Sequence, residues 1–178
     1  TPATNADICE VFDVSLGDST YDGYFGVQNT AGTKWAYNST YGGMTLSEHT
    51  WAEFNFASNI GNFVLSTDIR FPAVTATRGV QIFSTSGYSY VFRHDHFEVL
   101  DASNTVVDTI YHTTWNEAVA NADGGYHNIE IAYFGGVETL YVDGEAIYTT
   151  LIDTELTAGK IRFKYMLANA DTLSQKNV

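Results

Sequence analysis

Several scarcities in this chain of 178 residues exclude whole classes of protein. Only eight residues are Lys or Arg against 21 Asp or Glu, which gives a net charge of −13. Such a charge would repel nucleic acid and acidic membrane surfaces, and no basic stripe interrupts it. No apolar run approaches about 18 residues, so membrane insertion is not expected. Two prolines are too few for a proline-rich linker or tail.

Cysteine is as scarce as basic residues. Because Cys9 stands alone, an intrachain disulfide, a cysteine-based zinc site and a CxxC redox motif are excluded. It lies in an apolar, strand-like run, where we expect a small buried residue. No signal peptide is visible, and residues 1–6 resemble the end of a linker. We therefore predict one domain over residues 1–178, belonging to a larger protein, with residues 1–6 as a linker remnant.

Aromatic and strand-favouring residues are abundant instead, with 12 Tyr, 11 Phe and 3 Trp. Turn signals recur every 8 to 12 residues or so, which is typical of a β-sandwich or jelly roll. Helix signals are weak, the best being two turns over 115–122. The pattern predicts strands over 8–16, 21–28, 33–38, 51–57, 61–71, 79–84, 88–94, 96–101, 104–111, 126–134, 137–142, 145–151 and 159–166.

Two glycine turns organise the most informative part of the chain. Gly135-Gly136 separates alternating runs over 127–134 and 137–142, and Asp143-Gly144 precedes a third run from Glu145. Gly-Gly and Asp-Gly both suit the positive φ angles of a type I′ hairpin turn. The sequence therefore predicts an antiparallel meander of three strands.

Three short sequence motifs in and around this meander resemble those of a known family. A strand opens with Tyr126-His127, the meander contains Tyr141-Val-Asp-Gly144, and a Gly-Lys-Ile-Arg-Phe run follows over 159–163. Together these motifs resemble the concanavalin A-like lectin/glucanase superfamily, most closely its laminin-G-like and sugar-binding-module branch. The resemblance covers roughly residues 60–166 and implies an all-β, antiparallel β-sandwich of the jelly-roll kind. It also implies that the ligand is a glycan or polysaccharide.

Strand alternation predicts where such a ligand would bind. If the strands within 61–101 are neighbours, their outward positions form one polar sheet face. Its members are Asp68, Arg70, Gln81, Arg93, His96 and Glu98. Such a face is either a solvated sheet or a sugar site, in which Arg93 donates to hydroxyls and the carboxylates accept.

Aromatic residues in loops would supply the stacking surface of a sugar site. Tyr111 and Trp115 precede residue 126 in a long loop beside the polar face, and we expect Trp115 to be exposed. A rival site is the region of Trp35, Tyr37 and Tyr41.

Enzymatic alternatives on the same fold lack their usual patterns here. The resemblance to retaining glucanases would require Glu-x-Asp-x-x-Glu on one strand, which is absent, and Glu98 and Asp101 have an odd offset that places them on opposite faces. Alginate lyases have His two residues after the Gln, where Gln81 is followed by Ile82-Phe83. Arg78, the run 93–96 and Tyr165 match lyase residues in type only.

These observations favour a non-catalytic carbohydrate-binding module of a secreted or surface protein. The alternatives are a polysaccharide lyase or glycoside hydrolase on the same fold, or an adhesion or structural domain of a surface or virion fibre.

Two metal sites are conceivable. His94-Asp95-His96 has a zinc-like spacing, but the run also joins two predicted strands, which favours a turn. The resemblance implies a structural calcium ion (Ca²⁺), although no loop fixes its ligands. Carboxylates suited to calcium lie near the termini, at Asp7, Glu10, Asp13, Asp18, Asp22 and Asp171.

Overall fold

The computed structural model describes the backbone of most strands and the side chains of the central part of the chain. The described residues are 26–28, 35–38, 43–46, 51–55, 62–70, 79–83, 87–93, 95–113, 115, 125–152, 160–166 and 173–176. Side chains are described within 62–70, 80–82, 87–93, 95–113, 115 and 125–152. The predicted strand over 8–16, Cys9, the carboxylates proposed for calcium and residues 116–122 of the weak helix lie outside these ranges.

Every regular element in the described part is a β-strand. None of these elements is a helix that could cross a membrane. The strands are β1 Gly26–Gln28, β2 Trp35–Asn38, β3 Gly43–Leu46, β4 Trp51–Asn55, β5 Phe63–Arg70, β6 Gly79–Phe83, β7 Ser89–Phe92, β8 Phe97–Leu100, β9 Val106–Ile110, β10 His127–Phe134, β11 Val137–Val142, β12 Glu145–Leu151, β13 Lys160–Met166 and β14 Leu173–Lys176.

The strands form two antiparallel sheets. Sheet A has the order β1-β4-β13-β6-β7-β8-β9, and sheet B has the order β12-β11-β10-β5-β14-β3-β2. β5 pairs with β10 over seven residue pairs, whereas β6, which follows β5 in the chain, pairs with β7 and β13. The chain thus changes sheet between Arg70 and Gly79. The two sheets confirm the predicted all-β antiparallel sandwich.

The meander of β10, β11 and β12 has the predicted turns. Gly135 and Gly136 have φ angles of 57° and 84°, and Asp143 and Gly144 have φ angles of 50° and 84°. Both pairs lie in the left-handed region that a type I′ turn requires, and Asp tolerates it better than most residues. The register shifts between Leu140 and Tyr141 opposite β12, which marks a bulge in this edge strand.

Alternating residues from both sheets build the core between them. Sheet B contributes Leu65, Ile69, Ile129, Ile131, Leu140, Val142 and Ile147, and sheet A contributes Val80, Ile82, Tyr90, Phe92, Phe97 and Val99. Tyr148 of β12 packs edge-on against Tyr90 and Phe97, with ring centroids 6.3 and 6.0 Å apart. These contacts bury the inward rows that the alternation predicts.

One buried polar contact joins the two sheets. The Tyr90 hydroxyl donates to Oε1 of Glu138 at 2.7 Å, and both residues are fully buried. Burial, followed by the charge of Glu138, raises the pKa of Tyr90 far above its ordinary value. The phenol therefore remains a donor at all physiological pH values, which keeps this carboxylate hydrogen-bonded inside the sandwich.

Sequence patterns missed two short strands, β3 and β14. β14 reads Leu-Ser-Gln-Lys and pairs with both β3 and β5 within sheet B. Its run of three polar residues lacks the alternation that marks a half-buried strand. Its place in the sheet depends on partners far away in sequence, which a local pattern does not contain.

Candidate functional site

The polar face predicted from alternation is divided between the two sheets. Asp68 and Arg70 lie on β5 in sheet B, whereas Gln81 and Glu98 lie on β6 and β8 in sheet A. The prediction of one continuous face is therefore wrong. Alternation fixes the side of a strand on which a residue lies, but it does not say which sheet the strand joins.

Asp68 belongs to a small polar network on the outer face of sheet B. Nδ2 of Asn128 donates to Ser66 Oγ and to Asp68 Oδ1, both at 3.0 Å. Arg70, two residues further along β5, is half-buried and pairs in register with Ser174 of β14. Neither residue lies near the sheet A residues with which it was grouped.

Gln81 lies on the outer face of sheet A but is closed to solvent, with 2% of its surface exposed. Its Nε2 donates to Ser89 Oγ and to Asn104 Oδ1, both at 3.0 Å. Asn104 belongs to the turn between β8 and β9 and adopts a positive φ of 61°. The expectation that Gln81 faces a ligand is wrong, because this turn reaches across the sheet to cover it.

The same turn is held in shape by Asp101. Its Oδ1 accepts hydrogen bonds from the backbone N–H groups of Ser103 at 2.9 Å and Thr105 at 3.0 Å. An Asp side chain that bonds its own turn is a common local stop for a strand. The Asp101 turn thereby positions Asn104 above Gln81.

Trp115 is fully buried, so the expectation that it is exposed is wrong. Its ring packs edge-on against Phe92 with centroids 5.0 Å apart, and its indole N–H donates to the Arg93 carbonyl at 2.8 Å. A bridge between His112 and Trp115 reverses the chain after β9. This reversal directs the ring into the core and satisfies its polar nitrogen on the way.

The remaining predicted residues come together beside the β7–β8 turn. Arg93 donates to Oε2 of Glu98 from Nε at 3.3 Å and from Nη2 at 3.0 Å. Nε2 of His96 lies 3.7 Å from Oε1 of the same Glu98. The Tyr111 ring lies 5.2 Å from the His96 ring, centroid to centroid, and is 70% exposed.

Asp95 completes this group, which we call the Arg93 cluster: Arg93, Asp95, His96, Glu98 and Tyr111. Oδ1 of Asp95 lies 2.6 Å from His96 Nδ1. Since an ionised carboxylate only accepts, Nδ1 carries the proton in this contact. The sequence indicated Asp95 only as part of a metal motif or turn. Its place beside His96 could have been inferred from the sequence, because the two residues are adjacent in the chain.

A tight reversal and two strand pairings hold the Arg93 cluster in place. The Arg93 N–H donates to the His96 carbonyl at 2.9 Å, which closes the turn between β7 and β8. Glu98 pairs in register with Val91 on one side and Thr109 on the other. Tyr111 follows β9 directly, and Ile110 pairs with Phe97. Rigid strands thus position the ion pair, and Tyr111 lies at the end of one of them.

Arg93, Asp95 and His96 lie between β7 and β8, where the sequence predicted a turn. Because His94 lies outside the described ranges, the zinc spacing remains an alternative. Within the described ranges, no group of three His, Cys, Asp or Glu side chains is placed to hold a metal ion. The carboxylates proposed for calcium lie outside those ranges, so calcium remains a prediction. His94, Arg78 and Tyr41 also lie outside them, as do the side chains of Trp35, Tyr37 and Tyr165.

The fold has clear counterparts among solved structures. No protein-family model matches the sequence, and no curated protein matches it. A Bacillus licheniformis β-glucanase superposes with a TM-score of 0.67 and 14% identity, covering 98% of this chain and 96% of that one. The carbohydrate recognition domain of Emp47p gives a TM-score of 0.68 and 9% identity, covering 98% and 97%.

A third counterpart is the carbohydrate-binding module CBM66 from Bacillus subtilis, with a TM-score of 0.57 and 13% identity over 87% of this chain and 93% of that one. The chain has the concanavalin A-like lectin/glucanase fold. At these identities, the likeness concerns the architecture, which confirms the fold expected from the three sequence motifs. The concanavalin A-like fold is shared by enzymes and by binding domains, so the chemistry has to be argued from the Arg93 cluster.

Proposed function

We propose that the protein is a non-catalytic carbohydrate-binding module and that the Arg93 cluster binds the glycan. One observation carries this proposal: the exposed ring of Tyr111 packs against His96, which itself lies beside the hydrogen-bonded pair of Arg93 and Glu98. The C–H face of a pyranose can stack on the ring while the guanidinium donates to hydroxyls and the carboxylate accepts from them.

The neighbours of the fold support a carbohydrate as the ligand. Those named above include a glucanase, a carbohydrate-binding module and a carbohydrate recognition domain. The net charge of −13 argues against nucleic acid as a competing partner. We further propose that the module belongs to a larger secreted or surface protein, where binding domains of this kind hold a polymer near another activity.

The lyase alternative would need a Gln side chain that can contact the substrate. An alginate lyase shares the fold with a TM-score of 0.55 and 11% identity, covering 84% of this chain and 80% of that one. Gln81 matches the Gln of alginate lyases, but it is buried, and its Nε2 already donates to Ser89 and Asn104. It has no free amide N–H to offer a uronate carboxylate. The proposal therefore rests on binding.

Affinity gel electrophoresis with soluble neutral and acidic polysaccharides tests the proposal. We expect at least one polymer to retard the parent protein, and Arg93→Ala and Tyr111→Ala each to weaken that binding about tenfold or more, because each removes a direct contact. The matched control is Arg70→Ala, which removes the same charge from sheet B and should bind like the parent.

Each contrary result identifies a different alternative. Release of reducing sugar, or new ultraviolet absorbance from unsaturated uronates, would favour a hydrolase or a lyase. Parent-like binding by Arg93→Ala and Tyr111→Ala would show that the Arg93 cluster is a solvated surface. Absence of both binding and cleavage across the panel would favour an adhesion or structural domain.

A further inference from the structure

We infer that the Arg93 cluster selects uncharged glycans and rejects those bearing carboxylate or sulfate groups. This inference rests on the proposed function and names the ligand class of the same site. It follows from how the charges of the Arg93 cluster are already paired.

The one cation of the Arg93 cluster is neutralised inside the protein. Nε and Nη2 of Arg93 both donate to a single oxygen of Glu98, at 3.3 and 3.0 Å. These two donors form one of the edges through which a guanidinium grips a carboxylate. A uronate that took this edge would displace Glu98 and leave a partly buried carboxylate without its cation, which costs more than the new pair returns. Elsewhere on the guanidinium a uronate would meet a charge that Glu98 already offsets, whereas a sugar hydroxyl can bond to Arg93 or Glu98 without needing an uncompensated charge.

A second carboxylate makes the Arg93 cluster net negative when His96 is neutral. Asp95 lies 2.6 Å from His96, and 40% of its side chain is exposed. The described side chains of the Arg93 cluster therefore include two carboxylates and one guanidinium. An anionic sugar would meet an unfavourable field here, in a molecule whose net charge is already −13.

On the described strands of sheet A, one further cation lies in register with Glu98. Lys164 of β13 pairs in register with Gln81, which pairs with Val91, which in turn pairs with Glu98. Three strand spacings separate Lys164 from Glu98 along the sheet, which is about 14 Å. That backbone separation exceeds the Debye length of about 8 Å at physiological ionic strength, so Lys164 offsets little of the field.

The experiment compares polymers that differ only at C6. Soluble glucan, mannan and galactan are each used as the neutral polymer and after oxidation of the C6 hydroxymethyl group to a carboxylate. Isothermal titration at about 0.05 and 0.5 M NaCl measures both forms. We expect the parent to bind a neutral polymer at least tenfold more tightly than its carboxylated form, with a narrower gap at high salt.

Two matched variants locate the source of the selectivity. Glu98→Gln removes one negative charge beside the Arg93 guanidinium, so the ratio of acidic to neutral affinity should rise about fivefold. Glu130→Gln removes the same charge from the outer face of sheet B and should leave the ratio unchanged. Thermal melting of both variants checks that they are folded.

Each further outcome shows whether the inference alone fails or the proposed function fails with it. Tighter parental binding of a carboxylated polymer would overturn the inference while the proposed function stands. An equal rise of the ratio in Glu98→Gln and Glu130→Gln would also overturn the inference, because it would assign the selectivity to net charge. Failure of the parent to bind any polymer, neutral or carboxylated, would overturn the proposed function and the inference with it.

Discussion

An amide on the outer face of each sheet donates two side-chain hydrogen bonds. Gln81 in sheet A donates from Nε2 to Ser89 Oγ and Asn104 Oδ1, and Asn128 in sheet B donates from Nδ2 to Ser66 Oγ and Asp68 Oδ1. All four distances are 3.0 Å. The amides differ in burial, because Gln81 is closed to solvent and Asn128 is half-buried.

The two outer faces also differ in the burial of their other side chains. On the outer side of sheet A, Val91 and Leu100 are buried, and the Arg93 cluster lies at the end where β7 turns into β8. On the outer side of sheet B, Val64, Phe134 and Leu151 are more than half exposed. The face of sheet A is thus covered over its middle and presents polar groups at one end, whereas the face of sheet B is open. Polar groups that strand pairing holds in place at the accessible end of a sheet are the better basis for a binding site.

The largest effect we expect comes from the core beneath the Arg93 cluster. Trp115→Ala removes a fully buried ring that packs on Phe92 and donates to the Arg93 carbonyl. The free energy of unfolding should fall by about 3–5 kcal/mol, as for other large aromatic truncations. Urea denaturation measures this change.

Tyr111→Ala is the matched control for Trp115→Ala, since it removes an exposed ring from the same segment. We expect its unfolding free energy to stay within about 0.5 kcal/mol of the parent. Equal stability of the two variants would mean that Trp115 is not buried in solution, and the contrast between a covered face and an open one would weaken.

A smaller loss is expected from the covered amide. Gln81→Ala leaves the buried Ser89 hydroxyl and the Asn104 side chain without their donor, which should cost about 1–3 kcal/mol in urea denaturation. Glycan affinity in gel electrophoresis should remain that of the parent. Lost binding with unchanged stability would show that Gln81 reaches a ligand, contrary to its burial.

A structural feature is predictable from this sequence when the residues that form it lie close together along the chain. Each described strand other than β3 and β14 lies within a predicted strand, and β11 and β12 have the predicted bounds. Gly135-Gly136 and Asp143-Gly144 made the meander predictable, because positive φ angles are a property of two adjacent residues. The inward rows were also predictable from alternation along single strands.

The candidate site was predictable only in part, for the same reason. Arg93, His96 and Glu98 lie within six residues of one another, and the structure brings them together. Asp68 and Arg70 were misplaced because the chain changes sheet after β5, and no local pattern records that change. Gln81 and Trp115 were expected to be exposed, but Asn104 covers one and the other packs on Phe92, both more than twenty residues away.

The smallest effect should come from the open amide on sheet B. Asn128→Ala removes the hydrogen bonds to Ser66 and Asp68, but water can reach this half-buried site and replace them. The backbone of Asn128 keeps its bonds to Asp143, at 2.9 Å through its N–H and 2.8 Å through its carbonyl. We therefore expect a loss of about 0.5–1 kcal/mol in urea denaturation and parental glycan affinity. Gln81 and Asn128 each donate two hydrogen bonds of equal length, so the gap between Gln81→Ala and Asn128→Ala reflects their difference in burial, reduced by the charged acceptor Asp68, which strengthens one bond of Asn128. If Asn128→Ala cost as much as Gln81→Ala, the two faces would be equally closed, and burial could no longer explain why the binding groups lie on sheet A.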